Sequence, residues 1–266
     1  MKKLIVISDW VSDTLTCQEF RSAVEGFIKK DDHAHIYFVN SAPLTMHAAF
    51  ILSQTIETEE YYGRPQKTIF FVNTDVRENN KKSDFLVIRL KSGIFLCGSN
   101  AGHVFSMIKA KIEIAYTYSQ LGNGGQFRSR DLYSRPCAHL MEEMEDELEL
   151  EEIHTNIIPE LRGFYVAHVD NFGNIKTTIT LSDLKGKYEL GEEFFVTING
   201  IRKKVKFLAG LFNADPGVLV VYPGSSGKKD NPYLEITIRR DFTEKDINTG
   251  KDIFNNPRPG SQIAFQ

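Results

Sequence analysis

Four short stretches of this chain place small and polar residues where a strand-like run stops: Ser8-Asp9-Trp10, Gly98-Ser99-Asn100-Ala101-Gly102, Asp170-Asn171-Phe172-Gly173-Asn174 and Gly224-Ser225-Ser226-Gly227. A backbone that must come close to a polar ligand favours glycine and serine at such corners, so the set points to a pocket of nucleoside size. Asp9 follows an apolar run, where its carboxylate can accept two hydrogen bonds from a ribose diol; a helix cap would use the same residue type. Asp170, Gly173 and Asn174 offer a carboxylate for an amine, a turn, and a carboxamide able to bond a base edge, while the same string also reads as a polar turn. Gly224 to Gly227 can present amides and hydroxyls to a carboxylate or phosphate, with an ordinary loop as the plain alternative.

Other chemistries find less support. Gly122-Asn123-Gly124-Gly125 lacks the lysine of a phosphate-cradling loop. No GxSxG elbow and no HExxH pair occurs. His33 and His35 alternate at a strand start, and His47, His103, His139, His154 and His168 are scattered without a cysteine or carboxylate at metal spacing, so no metal is expected. Cys17, Cys97 and Cys137 form no CxxC pair and leave an odd one over, which reads as free thiols in a reducing compartment. A net charge of -3 provides no general attraction to nucleic acid. No stretch approaches the roughly 18 apolar residues of a membrane span, and Asp9 interrupts the first apolar run far short of a signal-peptide core. A cytoplasmic location is the expectation.

The elements that must position these residues change character along the 266-residue chain, and a chain of that length favours two domains. Residues 1–140 alternate apolar runs (Leu4 to Ile7, His35 to Val39, Thr68 to Val72, Phe85 to Ile88, Ile94 to Cys97) with helix-spaced segments over Thr16 to Ile28 and Ala48 to Ile56. This predicts an α/β domain with a mainly parallel sheet, whose ligands sit at the carboxyl ends of the strands, where Asp9 and Asn73 fall. Residues 141–160 read as an acidic linker, with eight acidic side chains between Met141 and Glu152. Residues 161–266 carry short strand-like runs punctuated by Asn199-Gly200 and Asp215-Pro216-Gly217, which predicts an all-β, barrel-like domain.

Taken in order, the motifs resemble the S-adenosyl-L-methionine hydroxide adenosyltransferases and the related fluorinases and chlorinases. Ser8-Asp9 matches the serine and aspartate that follow the family's first strand, although Val11 stands where the family has glycine. Ala42-Pro43 and Ala48-Ala49 are similar to its proline and alanine-pair segment. Gly98 to Gly102 resembles its GPDNG loop without the aspartate, Asp170 to Asn174 its DRFGN motif, and Gly224 to Gly227 with Leu234-Glu235-Ile236 its GSSGxLEIA motif with an insertion between.

That resemblance, which spans essentially the whole chain, implies an α/β domain followed by a β-barrel, a homotrimer, and a ligand held between neighbouring subunits. Adenosine or S-adenosyl-L-methionine is the implied ligand or substrate, with no separate cofactor. The implied reaction is attack of water, hydroxide or halide on the ribose 5' carbon, releasing methionine as a neutral thioether that needs no acid. Asp9 would hold the ribose hydroxyls, Asp170 the amine, Asn174 the adenine edge, and Ser225 or Ser226 the carboxylate, with Phe127 and Phe172 among the substrate contacts. The water-handling positions differ from the hydrolases. Asn73 occupies the aspartate position with Asp75 two places on, and Arg128 occupies the histidine position beside Ser129, a serine similar to that of the fluorinase. Arg77, Lys81 or Lys82 are the candidates for a displaced arginine. Without both carboxylate and imidazole, the expectation is weak hydrolysis or a noncatalytic binder. Asp75 is the first candidate base and His103 the second.

Overall fold

The run Leu4-Ile5-Val6-Ile7 is apolar at every position, the pattern of a strand covered on both faces. In the computed structural model, which describes residues 2–30, 34–74, 83–122, 124–240 and 248–266, it forms the middle of strand β1 (Lys3–Ser8). The chain folds as two compact units, Met1–Leu161 and Arg162–Gln266.

The first unit runs β1, α1 (Thr14–Glu25), β2 (Ile36–Asn40), α2 (Thr45–Tyr62), β3 (Thr68–Asn73), β4 (Phe85–Leu90), β5 (Phe95–Ser99), β6 (Ile112–Thr117), α3 (Ser134–Met141) and β7 (Glu151–Ile153). The strands form one seven-stranded sheet in the order β2-β1-β3-β5-β4-β6-β7. The first four in that order are mutually parallel, whereas β4, β6 and β7 pair antiparallel. The sheet is therefore mixed rather than mainly parallel. Only Lys91 to Ile94 separate β4 from β5, and a parallel crossover needs about a dozen residues, so this link must be a hairpin.

Crossovers from β1 to β2 and back past β1 to β3 put α1 and α2 on opposite faces. Phe20 and Val24 of α1 pack with Leu4, Val6, Ile69 and Phe71, whereas Ala48, Leu52 and Ile56 of α2 pack with Ile5, Ile7, Phe70 and Val72. Asp13 starts α1 by accepting from the Leu15 N–H at 3.1 Å and the Thr16 hydroxyl at 2.6 Å.

Residues 141–160, read from the sequence as a linker, lie within this first unit. Leu148 is buried with the α1-side core and β7 pairs with β6. The acidic side chains meet nearby donors: Glu142 accepts from the backbone N–H groups of Lys29 at 3.0 Å and Lys30 at 2.7 Å, and Glu147 pairs with the Lys29 ammonium at 3.0 Å.

The second unit contains β8 (Phe164–Val169), β9 (Ile175–Thr180), α4 (Leu181–Leu184), β10 (Glu193–Ile198), β11 (Ile201–Phe207), β12 (Leu219–Lys228), β13 (Asn231–Ile238), α5 (Gly250–Ile253) and β14 (Gln262–Phe265). Its strands close into a barrel in the order β10-β11-β12-β13-β9-β8-β14 around Val166, Ile175, Val196, Val221, Leu234 and Ile236. Asn199 and Gly200, both at positive φ (52° and 76°), turn β10 into β11.

Gly98 on β5 lies against β3 with no space for a side chain: a Cβ there would stand 2.0 Å from the Val72 carbonyl oxygen. Gly98→Ala is therefore expected to destabilise the chain by about 2 kcal/mol or more. The expected readout is a lower urea midpoint with an unchanged slope.

Candidate functional site

In an open α/β sheet the ligand crevice forms where consecutive connections leave in opposite directions from neighbouring strands. Here that point lies between β1 and β3, since β1 connects outward to β2 and the chain returns to β3 on the other side. Ser8 at the end of β1 is in register with Asn73 at the end of β3, and Val72 with Gly98. Paired residues of parallel strands share a face. Ser8, Asn73 and Ser99 continue the alternate set Val6, Phe71 and Cys97, so all three side chains lie on the α1 side.

This edge is polar and close-packed. The Ser8 hydroxyl donates to the Asn73 carbonyl and stands 3.2 Å from Asp9 Oδ1, leaving the half-buried Asp9 with further acceptor capacity. Asn73 Nδ2 donates to the buried Ser129 Oγ at 2.7 Å. Ser41, just past β2, lies 3.2 Å from the Thr74 hydroxyl, and the Ala42 N–H donates to His47 Nδ1 at 2.8 Å. Asn73 Oδ1, Ser99 Oγ, Asn100 Oδ1 and Trp10 Nε1 are buried with no hydrogen-bond partner among the described residues. Buried polar atoms are normally paired, so Asn73 Oδ1 and Ser99 Oγ, on one face of adjoining strand ends, mark a place where a ligand or water can bind.

Of the residues expected to handle the nucleophile, the fold thus brings Asn73 and Ser129 together. Ser129 opens a single π-helical turn, Ser129–Tyr133, a distortion frequent at functional sites. The Arg128 guanidinium lies 5.3 Å from the centre of the Tyr133 ring and forms no salt bridge with a described carboxylate. Phe127 meets Trp10 edge-on at 5.4 Å. Asp75, Arg77, Lys81 and Lys82 lie outside the described residues. His103 Nδ1 sits 3.0 Å from the Ser106 hydroxyl of its own turn.

In the second unit, Asp170 to Asn174 joins β8 to β9. Asp170 Oδ1 accepts from the backbone N–H groups of Phe172 at 2.9 Å and Asn174 at 3.0 Å, and Oδ2 accepts from Asn174 Nδ2 at 2.9 Å. The turn is thus held by its own aspartate, which also engages the amide nitrogen of the Asn174 side chain. Gly173 has φ +79°, and a Cβ there would collide with Thr249. Phe172 is 63% exposed, with its ring available for stacking.

Gly224 to Gly227 belongs to β12, where the pairing with β13 shifts between Pro223 and Gly227 to form a bulge. Beneath it lies Glu235 of β13, only 4% exposed. Glu235 Oε1 accepts from Lys176 Nζ at 2.5 Å, the Ser225 N–H at 3.0 Å and the Ser225 hydroxyl at 3.3 Å, while Oε2 accepts from the Tyr222 hydroxyl at 2.9 Å. Burial alone would raise the Glu235 carboxyl pKa, but the Lys176 ammonium with the Ser225 and Tyr222 donors holds it below its ordinary value. Ser226 is also buried. Sequence reasoning missed Lys176, Tyr222 and His168. The available signal was a glutamate amid the apolar run Leu234-Glu235-Ile236.

Among the described residues no group of histidine, cysteine or acidic side chains is placed to hold a metal, and no helix is long and apolar enough to cross a membrane. No family model matches the chain, and no curated protein matches it. Among solved structures, it is similar to an uncharacterized conserved protein from Thermotoga maritima at 18% identity and a TM-score of 0.74, over 99% of this chain and 100% of that one. It is also similar to a conserved hypothetical protein from Thermus thermophilus at 16% identity and a TM-score of 0.69, over 100% of both chains. These likenesses carry the fold.

Burial, followed by the neighbouring Lys176 ammonium, lowers the His168 pKa, against the opposing pull of Asp170 and Glu235. The unfolded chain then takes up this proton more readily than the native one, so stability is full above the ordinary value of 6.5 and is lost as pH falls below it. The thermal midpoint should be level above about pH 6.5 and decline below it. His168→Gln should make that decline shallower in calorimetry.

Proposed function

We propose that this chain binds an adenosyl ligand, adenosine or S-adenosyl-L-methionine, as a divergent relative of the S-adenosyl-L-methionine hydroxide adenosyltransferases. The observation that carries this reading is the position of Asp9. Asp9 follows the end of β1 at the switch point of the sheet, with its Oδ1 3.2 Å from the Ser8 hydroxyl, and the adjoining ends of β3 and β5 carry Asn73 Oδ1 and Ser99 Oγ, which have no hydrogen-bond partner among the described residues; this supports a carboxylate there that accepts from a ribose diol. The DNFGN turn and the Gly224 to Gly227 bulge supply the other motifs of the resemblance. The resemblance also implies a homotrimer in which neighbouring subunits share the ligand, measurable as a solution mass three times 30.3 kDa.

Any hydrolysis to adenosine and methionine is slow on this reading. Asn73 and Ser129 can position a water by hydrogen bonding, but neither is a base for its proton. The substrate partly compensates, because a sulfonium departs as a neutral thioether and alignment of the nucleophile carries much of the barrier reduction. Arg128 favours a second reading. Its guanidinium meets no described carboxylate and neighbours Ser129, which suits a halide nucleophile.

Adenosine is expected to raise the thermal midpoint of the protein, and Asp9→Ala to weaken its binding about tenfold or more, the worth of a hydrogen bond to a charged group. Chromatography of a mixture with S-adenosyl-L-methionine, with and without chloride or fluoride, should show slow adenosine or halogenated nucleoside formation or none. Absence of any adenosine-induced shift would refute the reading.

A further inference from the structure

We propose that a hollow in the first unit, at the amino ends of β1, β2 and β3, binds a nucleoside monophosphate, with its phosphate on Arg64 and Lys67 and its base against Tyr37 and Tyr62. The hollow lies at the opposite end of these strands from the switch point, and the proposal stands independently of the adenosyl reading.

The hollow has a volume of about 630 Å³, within the range of small-molecule sites. Lys3 and Tyr37 form one side of it. Tyr37 is in register with Ile5, Lys3 precedes Ile5 by two residues, and Ile5 packs with Leu52 and Ile56 of α2, so both side chains lie on the α2 face. The end of α2 forms the other side with Tyr62 and Arg64, followed by Lys67 just before β3. This corner is built around a buried carboxylate. Glu59, 8% exposed, accepts from Lys3 Nζ at 2.6 Å, the Thr68 hydroxyl at 3.0 Å and the Arg64 backbone N–H at 3.3 Å. Gly63 is required over it, because a Cβ there would collide with the Glu59 carboxylate. Glu59 thus neutralises Lys3 and fixes the backbone that carries Arg64.

The remaining charges favour an anion. The exposed Arg64 guanidinium forms no salt bridge or hydrogen bond with a described residue. Lys67 meets Glu143 at 3.4 Å, but both side chains are more than half exposed, so solvent screens the pair and leaves the ammonium available. Cations after a helix also offset its dipole, a role that calls for no aromatic neighbours. Here Tyr37 is 54% exposed and Tyr62 89%. A guanidinium fork matches two phosphate oxygens, and exposed aromatic rings stack on any nucleobase. The net charge of -3 gives a polyanion no general attraction, so a single nucleotide suits the hollow better than a strand.

Titration calorimetry of the full chain with uridine 5'-monophosphate, uridine and inorganic phosphate tests this, the pyrimidine keeping the result apart from the adenosyl reading. The nucleotide should bind at least about tenfold more tightly than uridine or phosphate. Arg64→Gln and Tyr62→Ala, both at exposed positions, should each weaken it about fivefold or more, whereas Asp9→Ala should leave it unchanged. Phosphate binding as tightly as the nucleotide would reveal an anion site that reads no base, and would overturn the proposal. So would failure of the nucleotide to bind, or binding that Asp9→Ala abolishes and Arg64→Gln spares. A short oligouridylate binding more than about tenfold tighter than the mononucleotide would overturn it in favour of a strand-binding surface. None of these outcomes decides the adenosyl reading, which the adenosine titration of the wild-type and Asp9→Ala proteins tests separately.

Discussion

The candidate site in the first unit depends on the parallel register of β1, β3 and β5. Side chains alternate between faces along a strand, so a slip of one residue would exchange the α1 and α2 sides for every position. Ser8, Asn73 and Ser99 would then no longer share a face. Two features oppose such a slip. Both faces of the central strands are packed, with separate apolar sets under α1 and α2, so a shifted strand would mismatch two cores at once. Gly98 also allows β5 to approach the Val72 carbonyl more closely than any other residue could.

The second unit relies on a different interaction, the buried pair of Lys176 and Glu235. Breaking such a pair by removing one partner typically costs about 3–5 kcal/mol, because the remaining charge is stranded. The two residues lie in one cross-strand row with His168 and Tyr222. The row therefore couples the β8–β9 turn, where Asp170 sits, to the bulge carrying Ser225. The two segments are some fifty residues apart in sequence, and this shared glutamate and lysine give them a common mechanical and electrostatic support.

Much of this architecture was legible in the residues. Uniformly apolar runs marked β1 and β3, and Asn199-Gly200 marked the β10–β11 hairpin, because burial on two faces and positive φ each demand particular residue types. The direction of β4 was not legible from its own residues, since apolar runs look alike in either orientation; the short link to β5 held the information. The acidic stretch after Met141 was misleading because charge composition does not reveal partners. Lys29 and Lys30, whose backbone N–H groups bind Glu142, are over a hundred residues away. At the site, the polar edge around Asp9 followed from strand ends. The capture of Ser225 by Glu235 did not, because it depends on a β12–β13 register that no local pattern specifies.

That register has a bearing on how the sequence can vary. After the bulge, pairing resumes at Gly227 with Pro232 and Lys228 with Asn231, so the tip at Lys229 and Asp230 projects beyond a ladder already re-formed. Residues added or removed at the tip leave the Ser225–Glu235 contact on its own side of that ladder. Length polymorphism at Lys229 and Asp230 is therefore insulated from the polar cluster, which makes the tip a natural point of attachment for a tag or fluorophore.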